Sequence, residues 1–208
     1  MPVSPPLLFL IVEDDLTLSR TLARFLSEFG DAQIASSVAA AEAAMPRAAT
    51  FAGLLVDVGL GDGSGLEWLG RARAAGLRAP AMVLTAQRDA DVIAGAQLTD
   101  AYYLPKPPRE ANLRAFVERC KSERTRAHVR LREDVRAYGL RHALSPREEQ
   151  ALMLAASGVP RCDLAGALGV EETTTKTLVR NLLRKTHQCA LADVVGEIHR
   201  NVFGELDG

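Results

Sequence analysis

Cysteine is scarce in this chain and badly spaced for covalent or metal chemistry. Its three cysteines, Cys120, Cys162 and Cys189, are odd in number, far apart and never in a CxxC pair. That excludes a disulfide scaffold and a cysteine-based zinc site. The four histidines are scattered without an HxxxH pair. Long apolar runs are missing as well: the longest, Leu7 to Val12, has six residues, whereas a membrane span needs ~20. No basic-then-apolar segment with a cleavage site stands before it, so the expectation is a cytoplasmic protein with no membrane contact. Nor does one sign of charge dominate. With 25 Lys+Arg against 26 Asp+Glu the net charge is −1, which excludes a histone-like polycation or an acidic disordered tail. At ~100–150 residues per domain, 208 residues suggest two modest domains.

The two halves have different patterns. LLFLIV (7–12), GLLVDV (53–58) and PAMVLT (80–85) are continuous apolar runs, as expected of strands buried on both faces of a parallel sheet. AQIAS (32–36) and AYYL (101–104) are weaker strand candidates. Between them lie amphipathic stretches. Leu18, Leu22, Phe25, Leu26 and Phe29 recur at helical spacing, with Gly30 expected to end that helix. Val38 to Met45, Gly65 to Ala75 and Ala90 to Leu98 read as further helices. Five strands alternating with helices predict a doubly wound α/β domain. From Glu110 to Tyr138 there is neither Gly nor Pro and arginine is dense. Shorter helices punctuated by Pro146, Gly158, Pro160 and Gly169 then run to Phe203. The predicted domains are 1–118, a helical linker 119–142 and an all-α domain 143–208.

Ligands of open parallel α/β sheets bind beyond the carboxyl ends of the strands. There the sequence places Glu13-Asp14-Asp15 after the first strand, Asp57 ending the third, Thr85 ending the fourth and Lys106 after the fifth. Each alone has a bland reading: a strand-end Asp is usually a helix cap or turn residue. Together they are a set. Crowded carboxylates repel unless a cation joins them, and hard oxygen ligands without His or Cys favour Mg²⁺. A lysine and a hydroxyl facing the same pocket suit a transferred phosphoryl group, so the chemistry expected is formation of an aspartyl phosphate.

On LIVEDD (10–15), LLVDVGLGDGSGLE (54–67), VLTA (83–86) and YLPKP (103–107), residues 7–118 resemble the receiver domain of two-component response regulators, a flavodoxin-like fold. The resemblance implies that Asp57 accepts phosphate from a sensor histidine kinase. It implies Mg²⁺ ligation by Asp14, Asp57 and the Gly59 backbone carbonyl, with Glu13 acting through water. Lys106 would pair with the phosphoryl group, Thr85 would hydrogen-bond it, and Tyr103 would be the switch aromatic. Gly65 matches the turn glycine, while Gly59 and Gln87 fall where the family sets phosphate lifetime. Gly61 replaces a usual proline in a run of four alternating glycines, which predicts a loop of high backbone entropy. Thr99-Asp100, Tyr102 and Pro105 also depart from the family's pattern.

In the second half Ser145 is a candidate N-cap, with Pro146 at the first helical position and Glu148 closing a capping box. Leu152, Leu154, Ala155 and Val159 are its predicted core face. Leu164, Ala165 and Leu168 mark a short helix turned by Gly169. A third helix from about Glu171 carries Thr173, Thr174, Lys176, Thr177, Arg180, Asn181, Arg184 and Lys185 outward, with Leu178, Leu182 and Leu183 facing the core. This is helix-turn-helix spacing, suited to a major groove, although a charge run is more often a solvated face. The segment resembles LuxR-type (NarL/FixJ) DNA-binding domains. That resemblance implies double-stranded DNA as partner, base contacts by Lys176, Thr177 and Arg180, and phosphate contacts by Thr174, Asn181 and Arg184, with Arg161 a weaker candidate. It also gives the last helix, with Leu191, Val194, Val195 and Ile198, a dimer role; plain core packing is the competing reading.

Val117, Cys120, Arg124, Ala127, Leu131, Asp134 and Tyr138 follow heptad spacing, but Arg and Asp in the seam predict weak pairing of a signalling helix rather than a stable coiled coil. The expected function is a phosphorylation-controlled transcription regulator, homodimeric at least when phosphorylated. The receiver would catalyse only its own phosphorylation and dephosphorylation. The alternatives are a constitutively dimeric DNA-binding protein with a scaffold receiver, and a phosphatase, which needs a second carboxylate at the position Gly59 occupies. The near-zero charge conceals an asymmetry. Residues 1–118 carry 10 Lys+Arg and 14 Asp+Glu, and residues 119–208 carry 15 and 12.

Overall fold

The computed structural model describes residues 7–86 and 90–204. It divides into two compact units, Met1–Arg124 and Thr125–Gly208. The first unit begins with β1 (Leu7–Val12), α1 (Leu16–Leu26), β2 (Gly30–Ala35), α2 (Val38–Ala44), a 3₁₀ turn and β3 (Gly53–Asp57). A two-residue hairpin, β4 (Gly59–Leu60) and β5 (Gly63–Ser64), leads into α3 (Gly65–Ala74), β6 (Ala81–Thr85), α4 (Ala90–Leu98) and β7 (Ala101–Pro105). The long α5 (Glu110–Arg141) starts in this unit and ends in the next.

Among the described residues the main sheet is five-stranded and wholly parallel, in the order β2-β1-β3-β6-β7. Every residue of β3 and β6 is buried, which is why these central strands lack alternation. One sheet face packs Leu10, Val12, Leu54, Val56 and Val83 against α2, α3 and α4, with Trp68 fully buried. The other packs Phe9, Ile11, Leu55 and Leu84 against α1 and the start of α5. The doubly wound architecture read from the sequence is therefore present.

One local expectation fails. The first helix stops at Leu26, and Gly30 opens β2 instead of closing that helix. The glycine is required by close approach: a Cβ on it would run into the Leu7 carbonyl oxygen of the paired strand. The glycine-rich segment after Asp57 forms a short hairpin, with β4 and β5 paired in antiparallel register. Gly65 must be glycine, since a Cβ there would overlap the Asp57 carbonyl oxygen. Gln87 lies outside the described residues.

The second unit packs the end of α5 with α6 (Pro146–Ala156), α7 (Leu164–Leu168), α8 (Glu172–Thr186) and α9 (Leu191–Gly204). Its core holds Val135, Tyr138, Leu152, Leu164, Val179, Leu182, Val194 and Ile198. α6 begins with the capping box predicted for it: Ser145 Oγ accepts from the Glu148 N–H, and Glu148 Oε2 accepts from the Ser145 N–H at 2.7 Å. Gly169 caps α7 at φ 65°, in the left-handed region glycine occupies without cost. The heptad reading of α5 is corrected at its ends. Val117 and Cys120 are buried in the first core and Tyr138 in the second, so they do not line a free seam. Residues 125–130 are exposed throughout.

Candidate functional site

The pocket lies at the carboxyl ends of β1, β3, β6 and β7. β1 ends in Val12, and the Glu13 N–H continues its bonding by donating to the Ala35 carbonyl. Glu13 is 1% exposed and Asp57 7% exposed, while Asp14 faces solvent. Carboxylate oxygens of these three lie within 4.8 Å of one another. Asp15 takes a different part. Its side chain caps α1, accepting from the Thr17 N–H at 2.7 Å and the Leu18 N–H at 3.1 Å, and these bonds hold its carboxyl below the usual range.

Lys106 closes the pocket. Its Nζ stands 2.7 Å from Glu13 Oε2, 2.9 Å from Glu13 Oε1 and 2.9 Å from Asp57 Oδ1. Its own backbone N–H donates to the Thr85 carbonyl at 2.8 Å, which fixes the lysine beside the end of β6. Burial pushes the Glu13 carboxyl up, and the neighbouring Asp57 charge adds to that; hydrogen bonding from Lys106 only partly offsets them. For Lys106 burial acts downward, but the two carboxylates outweigh it and hold the ammonium above its ordinary value. Two buried carboxylates thus share one ammonium, with a third carboxylate at the mouth. This donor set, all hard oxygen and net negative, fits a divalent cation such as Mg²⁺.

Thr85 is buried at the end of β6. Tyr103 is half-buried on β7, beside Val83 of β6, and packs against the core on the α2–α3–α4 face of the sheet. Gly59 pairs with Ser64 in the hairpin beyond Asp57. The structure therefore brings Glu13, Asp14, Asp57 and Lys106 together, with Thr85 and Gly59 on adjoining segments. Sequence reasoning missed Asp62, whose Oδ1 and Oδ2 accept from the Val38 and Ala39 N–H groups at 2.8 and 3.0 Å. Its partners are 24 and 23 residues away, so no local motif marks it.

In the second unit, Thr173, Thr174, Lys176, Thr177, Arg180 and Arg184 of α8 are exposed, as is Arg161 before α7; Asn181 is half-buried. Lys176 Nζ lies 3.4 Å from Glu172. The predicted inward face needs correction. Thr175, Val179, Leu182 and Thr186 are buried, while Leu178 is only half-buried. The buried threonines satisfy their hydroxyls on carbonyls one turn back, Glu171 and Leu182, which lets polar residues serve as core. Lys185 does not point outward either. It reaches across to α6, donating to Glu148 Oε2 at 2.7 Å and the Ala143 carbonyl at 2.9 Å. Burial alone would raise the Glu148 carboxyl, but bonds from Lys185 and Ser145 hold it below the ordinary range. On α9, Leu191, Val194 and Ile198 lie in the core with Val195 packed against it, so this stripe is core packing.

A family model for the response regulator receiver domain matches residues 9–118. Nodulation protein W of Bradyrhizobium diazoefficiens is 28% identical over 189 residues, covering 89% of this chain and 82% of that protein. Nitrate/nitrite response regulator protein NarP of Escherichia coli is 28% identical over 198 residues, covering 89% of this chain and 91% of that protein. Full-length FixJ from B. japonicum shares the fold with a TM-score of 0.53 at 22% identity, over 95% of this chain and 98% of its own.

Proposed function

Because this chain belongs to the response regulator receiver domain family, we propose that it is a cytoplasmic two-component regulator. Phosphotransfer from a sensor histidine kinase to Asp57 controls its dimerisation and its sequence-specific binding to double-stranded DNA. The observation that carries this reading is the Lys106 ammonium held 2.9 Å from Asp57 and 2.7 Å from Glu13 at one sheet edge.

In the transfer, an Asp57 carboxylate oxygen attacks the phosphorus of a phosphohistidine. The O–P bond forms as the P–N bond breaks, and the imidazole nitrogen leaves with the electron pair. Lys106 then turns from neutralising two carboxylates to neutralising phosphoryl oxygens. Asp14, Asp57 and the Gly59 carbonyl would hold Mg²⁺, with Glu13 acting through water, and the bound ion would supply further positive charge for the phosphoryl oxygens. Thr85 donates its hydroxyl to the phosphoryl group, and Tyr103 turns inward as Thr85 moves. A two-state receiver must be biased by about 5.5 kcal/mol to pass from 1:99 to 99:1, a size suited to a buried dianion acquiring a fixed cation.

The DNA-reading surface in this proposal is the exposed face of α8. Lys176, Thr177 and Arg180 reach base edges, and Thr174, Asn181 and Arg184 contact phosphates. The scaffold-receiver alternative is not favoured, because the pocket retains each charged group that phosphotransfer requires. Phosphorylation from a low-molecular-weight phosphodonor with Mg²⁺ tests the reading. One acid-stable, hydroxylamine-labile phosphoryl group per chain, lost in Asp57→Asn, is the expected result. Incorporation that survives Asp57→Asn would overturn it.

A further inference from the structure

The segment after Asp57 is the part of the pocket least held by its own sequence. Gly59, Gly61, Gly63 and Gly65 alternate through it, and glycine loses more backbone freedom on ordering than any other residue. Three things fix it in place. Gly59 and Leu60 pair with Ser64 and Gly63, the Leu60 side chain is buried in the core, and Asp62 at the hairpin tip grips the start of α2. The two Asp62 oxygens take the Val38 and Ala39 N–H groups at 2.8 and 3.0 Å. Ser37 Oγ takes the next, Ala40, at 3.0 Å. The tip borders the carboxylate pocket: a Cβ built on Gly61 would lie 3.9 Å from Asp14 Oδ2.

We propose that Asp62 is a positioning residue for the cation side of the pocket. By clamping the hairpin tip onto α2 it holds the Gly59 carbonyl and the surroundings of Asp14 in place for Mg²⁺, a task the glycine backbone cannot perform alone. The proposal rests on the receiver reading above. It also makes α2 part of the pocket's support, since the clamp's other half is the first turn of that helix.

Mg²⁺ titration of the full-length protein by calorimetry, without phosphodonor, provides the test. Removing a group that orients a metal ligand costs roughly 10–100-fold in affinity, so Asp62→Ala is expected to weaken Mg²⁺ about tenfold, with Asp62→Asn between it and the native protein. Gly61→Ala supplies the independent check. Nothing nearer than Asp14 Oδ2 meets its Cβ, and it lowers the entropy of the free loop. The double variant Gly61→Ala/Asp62→Ala should therefore regain part of the lost affinity, which a merely structural role for Asp62 would not produce. Amide exchange at Val38 and Ala39 should rise in Asp62→Ala. A dissociation constant within twofold of native in Asp62→Ala, or a loss that Gly61→Ala leaves untouched, overturns the proposal. A native protein that binds no Mg²⁺ overturns the receiver reading itself.

Discussion

Lys106 is the residue on which the charge balance of the pocket depends. Two carboxylates, Glu13 and Asp57, are buried against one ammonium, and removing one partner from such a group leaves a buried charge uncompensated, at about 3–5 kcal/mol. Lys106→Met is therefore expected to destabilise the metal-free protein by roughly 3 kcal/mol at neutral pH, with part of the loss recovered on adding Mg²⁺. Urea unfolding with and without the cation checks both. The pH dependence follows from Glu13, whose folded-state carboxyl is raised. Between its ordinary value and the raised one, the folded state binds more protons than the unfolded, so stability falls as pH rises through that window. Lys106→Met should steepen this fall, because the ammonium that partly offsets the shift is gone. Glu13 and Asp57 were legible in the sequence because each sits at the end of a strand whose apolar run is unmistakable, whereas Lys106 follows the weaker run AYYL, on a strand that is only partly buried. Asp62 was not: its partners are brought to it by the fold, and a lone Asp between glycines reads as a turn residue. For Asp15 the sequence left two readings open, ligand or helix cap, since acidic residues before a helix serve as either, and the cap is the one the fold adopts.

At the scale of the element, α8 is held to α6 by Lys185, which donates to Glu148 while Glu148 accepts from the Ser145 N–H. The capping box could be read from sequence because its residues are three apart. The lysine could not, being 37 residues away. A double-mutant cycle on Glu148→Gln and Lys185→Met should give a coupling of about 1–3 kcal/mol at pH 7. Glu148 is depressed in the folded state, so its contribution is fully present above its unfolded value near pH 4.5 and is lost as pH falls through the folded one. The coupling should shrink over the same acid range, and thermal melts at several pH values measure it. α5 makes a second case. The heptad spacing was visible, but its apolar ends are taken by two separate cores, leaving residues 125–130 exposed. A proline at Ala127 costs about 3 kcal/mol in a helix interior. Calorimetry should show each unit still melting cooperatively in Ala127→Pro, while a phosphoryl analogue no longer alters DNA affinity.

Across the whole molecule, a net charge of −1 proves to be two opposed halves. The acidic half contains a pocket that gathers carboxylates around one lysine, and the basic half exposes Lys176, Arg180 and Arg184 on one helix. With so few exposed cations on that helix, bulk attraction to DNA is modest. Because log affinity falls by ~0.9 per phosphate contact for each unit of log salt, Arg184→Ala should flatten the salt dependence by about one contact, whereas Lys176→Ala and Arg180→Ala should relax sequence preference. The central claim is that charge at Asp57 governs DNA binding by the other half. The direct measurement is DNA affinity, on a site selected from random sequence, of the native protein with Mg²⁺ and with Mg²⁺ plus beryllofluoride. At least a tenfold change with a shift in oligomeric state, both absent in Asp57→Asn, is the expected result. Equal affinity and an unchanged oligomer under the two conditions would contradict it.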